Sequence, residues 1–448
     1  MSNLEFRNGY SGTAAGSFLS VQVGAFINMT DVTIRNMYST TSTAAVMAVG
    51  TTGPQARGRF LRVNFIDCSA AAGAASVLSL ANPVEWILED VAFLNCSNGA
   101  SSYFAIKVEV SATSSMTFGG NIVFNASSGA AAAAMLFTGS TSYNFSIYSR
   151  PSNPSKFSVN TLPSFFILSN LNLYLESYQL THMALDTGGV PLTFFIQGSS
   201  VVALKIVSDL RVDGARILSN SVANLTLDVG GSIVSTSCQG TYAFSASNLT
   251  SITASEIIVS DAVYGVFYCT GSSTNLNVRT TNDVRLTGLS DLSITSANAV
   301  TANCGLANFQ IGGDFIISRF TVTSAVSGAG VLVDSDGRAT ISAQNVAING
   351  CKAYQGGAAA VTSNGSLTIS ATKSVVFENN IGVLGGGALY LSNTSTFGLN
   401  APVVNFISNE APYGSAAMLG STAQMASFSR SNFHNNKDRK STRLNSSH

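Results

Sequence analysis

The stretch VVFENNIGVLGGGALYLSN, Val375–Asn393, is one copy of a unit that recurs along the chain: an aromatic residue, an asparagine three positions later, then a glycine cluster. Such recurrence constrains the fold strongly, because each copy must bury its apolar face against its neighbours. Aligned on Phe377, the anchors Ile34, Phe65, Phe93 and Phe124 lie 31, 28 and 31 residues apart. Leu286, Ile317, Ile348, Phe377, Phe406 and Phe433 follow at intervals of 31, 31, 29, 29 and 27. Two residues before the anchor the chain carries Val32, Val63, Val91, Ile122, Val284, Phe315, Val346, Val375 and Val404, with Ser431 the exception. The preceding position is mostly polar: Asp31, Arg62, Asp90, Asn121, Asp283, Asp314, Asn345, Ser374 and Arg430. This alternation reads as a short strand with one face inward.

Three residues after the anchor stand Cys68, Cys96, Cys351, Asn380, Asn409 and Asn436. An asparagine at a recurring corner suits strained turn geometry, and its amide can stack on the copy above. The small-residue clusters GAASVLSL (Gly73–Leu80), GAGVLVD (Gly328–Asp334), GGAAAV (Gly356–Val361) and GGGALYL (Gly385–Leu391) then lead into another strand. Glycine there permits a positive φ and close approach of adjacent coils. A 29-residue unit of short strands with corners in register and no helical period predicts an all-β chain, a single-stranded parallel β-helix of about 14 coils. Right-handed coiling is the default for parallel crossovers. A propeller, with four antiparallel strands per blade, fits neither the period nor the turns. In this reading Phe65, Phe93, Phe124, Phe377, Phe406 and Phe433 fill the bore, and Asn380, Asn409 and Asn436 turn the corners.

Composition narrows the function classes. Apolar residues make up 46% and charged residues only 10%, too apolar for a disordered chain. No apolar run is long enough for a transmembrane helix. The last eleven residues, DRKSTRLNSSH (Asp438–His448), resemble a translated sequencing adapter and are set apart from the β-helix, which is expected over residues 1–437. Removing Asp438, Arg439, Lys440 and Arg443 takes the 22 acidic and 22 basic residues to 21 and 19, a net charge of −2. With no basic stripe, nucleic acid is not an expected partner. The start, MSNLEFRNGYSG, has no apolar signal-peptide region, and both natural ends are expected to lie outside this sequence. Six cysteines without a CxxC pair and only three histidines give no zinc signature.

Alternating GGA[ILV] and FxxN motifs resemble the polymorphic outer membrane protein repeats of chlamydiae, most closely over Ile348–Asn436, where GGAAAV, FENN, GGGALYL, FISN and FHNN follow one another. The first four units share the frame with Cys or Ser in place of Asn. The resemblance implies a right-handed β-helix exposed at a cell surface or secreted and used in adhesion or envelope structure, with glycans or cell-surface proteins as partners. Full-length chlamydial members end in a membrane barrel, to which nothing in this sequence corresponds.

From residue 138 to residue 200 the rhythm weakens, and Pro151, Pro154, Pro163 and Pro191 gather there with Tyr143, Phe145, Tyr148, Phe165, Phe166, Tyr174, Tyr178, Phe194 and Phe195. KFSVN (Lys156–Asn160) keeps one FxxN, 33 residues after Phe124. Either these are ordinary coils with a longer loop at SRPSNPS (Ser149–Ser155) and aromatics in the bore, or the aromatics form an exposed binding surface.

The β-helix also scaffolds pectin-active lyases and hydrolases, so catalysis needs a hearing. A carbohydrate-active lyase, hydrolase or epimerase is the alternative to a non-enzymatic role. Its site would need clustered acids beside an Arg or Lys. Asp283 and Asp314 share a repeat position and should stack on adjacent coils, with Arg285 and Arg319 nearby. The competing reading is a solvated acidic pair balanced by those arginines. Asp31, Arg62 and Asp90 alternate in sign at the same position and read as a structural ion-pair ladder. VDSDGR (Val333–Arg338) begins like a calcium loop, but Asp334 and Asp336 lack the remaining ligands and the closing Glu. No cofactor is expected, and calcium is the one cation these residues suggest. His182 has no nucleophile motif to partner and reads as structural. Cys68 and Cys96 should stack within disulfide range, as a bridge or as a reduced pair. Acceptor sequons occur at Asn28, Asn95, Asn125, Asn144, Asn224, Asn248, Asn364 and Asn393.

Overall fold

The computed structural model describes residues 2–11, 19–21, 24–39, 44–49, 57–70, 76–98, 103–126, 132–140, 142–162, 164–184, 192–197, 201–220, 224–238, 242–289, 298–322, 327–426 and 430–438. Most of the adapter-like tail, residues 439–448, lies outside them, as do Pro163 and Pro191. The described residues form strands and no helix, stacked as a right-handed parallel β-solenoid with a period of about 29 residues. Two compact units divide the chain, Met1–Gly231 and Ser232–His448.

In the first unit the strands Ser2–Arg7, Phe26–Arg35, Arg57–Ile66, Ala92–Asn98, Asn121–Ala126, Lys156–Asn160, Gln179–Met183 and Leu210–Asp213 pair in that order, all in parallel. One inward row therefore reads Phe6, Ile34, Phe65, Phe93, Phe124, Val159, His182 and Val212. In the second unit Glu256–Ala262, Val284–Gly288, Phe315–Ser318, Arg338–Asn349, Ser366–Glu378, Val403–Ile407 and Ser431–His434 bring Val259, Leu286, Ile317, Ile348, Phe377, Phe406 and Phe433 into one row. Parallel pairing sets the pitch at about 4.8 Å, close to the spacing of stacked rings. Phe65 and Phe93 accordingly lie 5.0 Å apart at 11°, Phe93 and Phe124 5.2 Å apart at 6°, and Phe377 and Phe406 5.1 Å apart. These rings are fully buried, whereas Phe433 stacks 4.9 Å from Phe406 and remains 61% exposed.

At the corner two jobs fall to two different residues. The left-handed residue comes two positions after the anchor: Asn8, Asn36, Asp67, Asn95 and Thr161 in the first unit, and Asp261, Arg319, Gly350, Asn379, Ser408 and Asn435 in the second. Asn380 and Asn409, one position later, do not take the positive φ that the sequence reading gave them. They point inward, fully buried, and their amides form an axial ladder. Beyond the corner Gly356, Gly386 and Gly414 take φ of 64°, 63° and 57° on successive coils. The following Gly387 has no room for a Cβ, which would sit 2.9 Å from both the nitrogen and the oxygen of Glu410.

The irregular segment keeps the parallel ladder but changes its spacing. Val159, not Phe157, stands opposite Phe124, so the FxxN match at KFSVN is displaced by two residues from the anchor row. Phe157 instead pairs with Ile122. Phe145, Phe165, Phe166 and Phe194 are buried in the bore, whereas Tyr148 and Tyr178 face outward. The loop Ser149–Ser155 is pinned from beneath by Glu89, which pairs with Arg150 and accepts a 2.9 Å hydrogen bond from Asn153 Nδ2.

Candidate functional site

The residues singled out for catalysis are rungs of a hydrogen-bonded row. Asp283 Oδ1 accepts the backbone N–H of Asp314 at 2.8 Å, and its other oxygen accepts from Arg285 at 2.6 Å. The Asp314 amide first, and Arg285 second, hold the Asp283 carboxyl below its ordinary range. Asp314 Oδ1 in turn accepts from Asn345 Nδ2 at 2.8 Å, and Asn345 Oδ1 from the Ser374 hydroxyl at 2.8 Å. A carboxylate held charged in this way is a poor proton shuttle and a good backbone cap. Arg319 sits at the left-handed corner, φ 61°, and joins no ion pair with Asp283 or Asp314 among the described residues.

In the first unit the same position behaves differently. Asp31, Arg62 and Asp90 are all left-handed, with φ of 55°, 54° and 53°. Arg62 donates to Asp31 at 2.5 and 2.7 Å, but Asp90 caps the backbone N–H of Asn121 at 2.9 Å. The ladder is thus half ion pair and half backbone cap. Asp334 opens a tight turn, its O accepting Gly337 N at 2.9 Å, and its carboxylate accepts the Thr362 hydroxyl of the next coil at 2.6 Å. Burial raises the Asp334 pKa, but hydrogen bonds from Thr362, Ser363 and Ser335 outweigh it and leave the group below its ordinary value. Asp336 occupies the exposed turn at φ 61°. Among the described residues no group of three His, Cys, Asp or Glu side chains is placed to hold a metal ion.

The asparagine ladder is closed on itself. Asn409 donates to Phe377 O at 2.9 Å and Asn436 Oδ1 at 3.0 Å, and its Oδ1 accepts Asn380 N at 3.1 Å and Asn380 Nδ2 at 3.0 Å. Asn380 repeats the pattern one coil back, donating to Ile348 O and accepting Cys351 N. Cys68 and Cys96 occupy the same slot, their thiols donating to Ile34 O and Phe65 O at 3.6 and 3.5 Å. Both are buried, and neither is in a disulfide.

The one disulfide among the described residues joins Cys269 and Cys304, both buried, with Cα atoms 5.6 Å apart. Cys269 pairs with Ala302 and Gly271 with Cys304, so the bridge crosses diagonally between adjacent coils. The sequence reading missed it, because Gly265–Thr280 carries no FxxN motif to set its register. His182 occupies the anchor row: Nδ1 meets the Thr193 hydroxyl at 2.8 Å and Nε2 meets Leu162 O at 2.8 Å. A carbonyl only accepts, so Nε2 carries the proton and Nδ1 accepts from Thr193. Burial lowers its pKa to about 4.

Concave features of the outer walls include a groove in the second unit and a cavity in the first. A groove of about 520 Å³ in the second unit follows the outward row Arg279, Gln310, Ser342, Ser370 and Asn400 over a buried floor of Ile311, Ala343 and Ala371. In the first unit a cavity of about 310 Å³ adjoins Tyr174, with Asn144, Ser146, Asn172, Val201 and Ala203 around it. Tyr174 donates its hydroxyl to Glu176 at 3.1 Å, and Glu176 pairs with Lys205 at 3.6 Å. Burial, then the Glu176 charge, raises the Tyr174 pKa.

No family model, no curated protein and no solved structure matches the chain.

Proposed function

We propose that this chain is an exported β-solenoid, displayed at a cell surface or secreted, whose walls serve adhesion or envelope structure rather than turnover. The observation that carries the reading is the buried Cys269–Cys304 disulfide between adjacent coils, a bond that forms and persists in oxidising compartments and is rare in the cytosol. Two features agree with it. The acids with catalytic potential, Asp283 and Asp314, each commit Oδ1 to an axial hydrogen bond that holds adjacent coils together. The FxxN and GGA[ILV] rows, which resemble the polymorphic outer membrane protein repeats, supply the Phe377–Phe406–Phe433 stack and the Asn380–Asn409–Asn436 ladder.

Thiol trapping and impermeant biotinylation of intact cells that make the protein test the location. The expected result is a Cys269–Cys304 linked peptide from protein labelled on the cell surface or recovered from the medium. Recovery of the reduced protein from the cytosolic fraction overturns the reading. For the non-enzymatic part, purified protein incubated with a panel of polysaccharides is expected to release neither reducing ends nor unsaturated products. Release that disappears in Asp283→Ala would establish the lyase or hydrolase alternative.

A further inference from the structure

We infer that the outer wall of the first unit carries a binding slot for a neutral pyranose glycan, built on Tyr174 with Asn144, Ser146 and Asn172. The inference rests on the proposed exported role and supplies its ligand class. Where the bore of this solenoid places phenylalanine rings of the anchor row in register on successive coils, they stack 4.9–5.2 Å apart, as Phe65, Phe93 and Phe124 and Phe406 and Phe433 do. Tyr174 stands in an outward row where its register partners are Ser146 on one side and Ala203 on the other. Both are small, so no ring of the protein's own row covers Tyr174, and the cavity of about 310 Å³ occupies that place. The coil pitch therefore leaves a slot of one ring's thickness beside an aromatic face. Tyr148 lies beside Tyr174 itself, its ring 5.8 Å away and tilted by 49°, and is 46% exposed.

The walls decide which ring fits. Asn144 and Asn172 are joined amide to amide at 3.1 Å, and the backbone N–H of Val201 holds Asn172 Oδ1 at 3.0 Å, so the amides are fixed in orientation. Amides and a serine hydroxyl pair with the alternating donors and acceptors of sugar hydroxyls. The negative face of a tyrosine ring attracts the polarised C–H groups on the flat side of a pyranose. Phosphate-bearing ligands meet the Glu176 carboxylate, while the adjacent Lys205 is held in an ion pair with it. A peptide strand has no edge to join, because Asn144–Ser149, Asn172–Ser177 and Val201–Ile206 are each paired on both sides. Tyr178, round the corner, is a weaker platform, since the Lys156 ammonium lies over its ring at 5.7 Å.

The test uses the full chain made in bacteria, so that Asn144, which heads an acceptor sequon, stays unmodified. Calorimetric titrations take cellohexaose, chitohexaose, xylohexaose and mannohexaose, with an oligogalacturonate and a thymidine hexanucleotide as controls. At least one neutral hexasaccharide is expected to saturate. Tyr174→Ala should then weaken binding by about tenfold or more. Tyr174→Phe, which keeps the ring, should stay within about threefold. Ala203→Gln, which fills the slot without touching the tyrosine, should weaken binding as Tyr174→Ala does, and Tyr178→Ala should leave it unchanged. The inference is overturned if no neutral hexasaccharide saturates, if binding survives both Tyr174→Ala and Ala203→Gln, or if the nucleotide or galacturonate binds better. The export reading stands or falls separately, on the thiol-trapping and surface-labelling result.

Discussion

Replacing Asn409 by alanine tests the internal amide ladder directly. Asn409 is fully buried and its side chain makes four hydrogen bonds, to Phe377 O, Asn436 Oδ1, Asn380 N and Asn380 Nδ2. Alanine removes the acceptor of the buried Asn380 N–H and the side-chain donor to Phe377 O. Each buried group left unpaired costs about 1–3 kcal/mol, so the two together predict a loss of about 2–6 kcal/mol. Asn409→Cys should recover part of it, because Cys68 and Cys96 in the same slot donate to the carbonyl one coil back. A thiol is a weak acceptor, so a deficit of about 1–2 kcal/mol remains. In a solenoid the damage is shared mainly with neighbouring coils. The assays are the urea midpoint and amide hydrogen exchange at Asn380, whose protection should drop roughly a hundredfold in Asn409→Ala. Asn432→Ala, on the exposed Asn405–Asn432 amide pair, serves as the control and should move stability by less than about 0.5 kcal/mol. An alanine variant as stable as the control, or a cysteine variant worse than alanine, would refute the ladder as a source of stability.

Three further outcomes follow from the geometry. His182 is neutral in the fold with a pKa of about 4 against 6.5 in the unfolded reference, so between those pH values the unfolded chain binds the extra proton. Its contribution is complete above pH 6.5 and should fall as pH drops toward 4, by up to about 1.4 kcal/mol per pH unit. Urea midpoints against pH should show this slope, and His182→Gln should flatten it. Breaking the disulfide with Cys269→Ser and Cys304→Ser releases a loop of sequence separation 35 and should cost about 2–4 kcal/mol. Differential scanning calorimetry of the double variant against wild type reads it, and an unchanged melting profile would show that coil stacking alone holds that region. Glu89→Ala removes the buried anchor of Arg150 and Asn153 and should raise hydrogen exchange across Ser149–Ser155 while leaving the Phe65–Phe93 region protected. Equal exchange in both proteins would mean the loop holds itself.

What was legible in the sequence is the solenoid, and the reason is periodicity. Inward and outward positions alternate every second residue, and a unit that closes one coil must place its bore residue at the same phase each time. The anchors from Ile34 to Phe124 and from Leu286 to Phe433 could therefore be aligned by counting, and they stand opposite one another in the ladders. Where loop lengths vary, counting loses the register. Phe124 meets Val159 rather than Phe157, and His182 enters the anchor row only because the next coil is short. The same loss hid the Cys269–Cys304 bridge, whose partners share a face only after the strands are paired, whereas Cys68 and Cys96, aligned by motif, form no disulfide. Function was the least legible part. A tyrosine between a serine and an alanine one coil away on either side has no signature along the chain; the slot beside Tyr174 exists because tertiary stacking sets those three residues in one row at one ring's spacing. The sequence by itself determined that there would be coils, and the folded structure decided what each coil lays against the next.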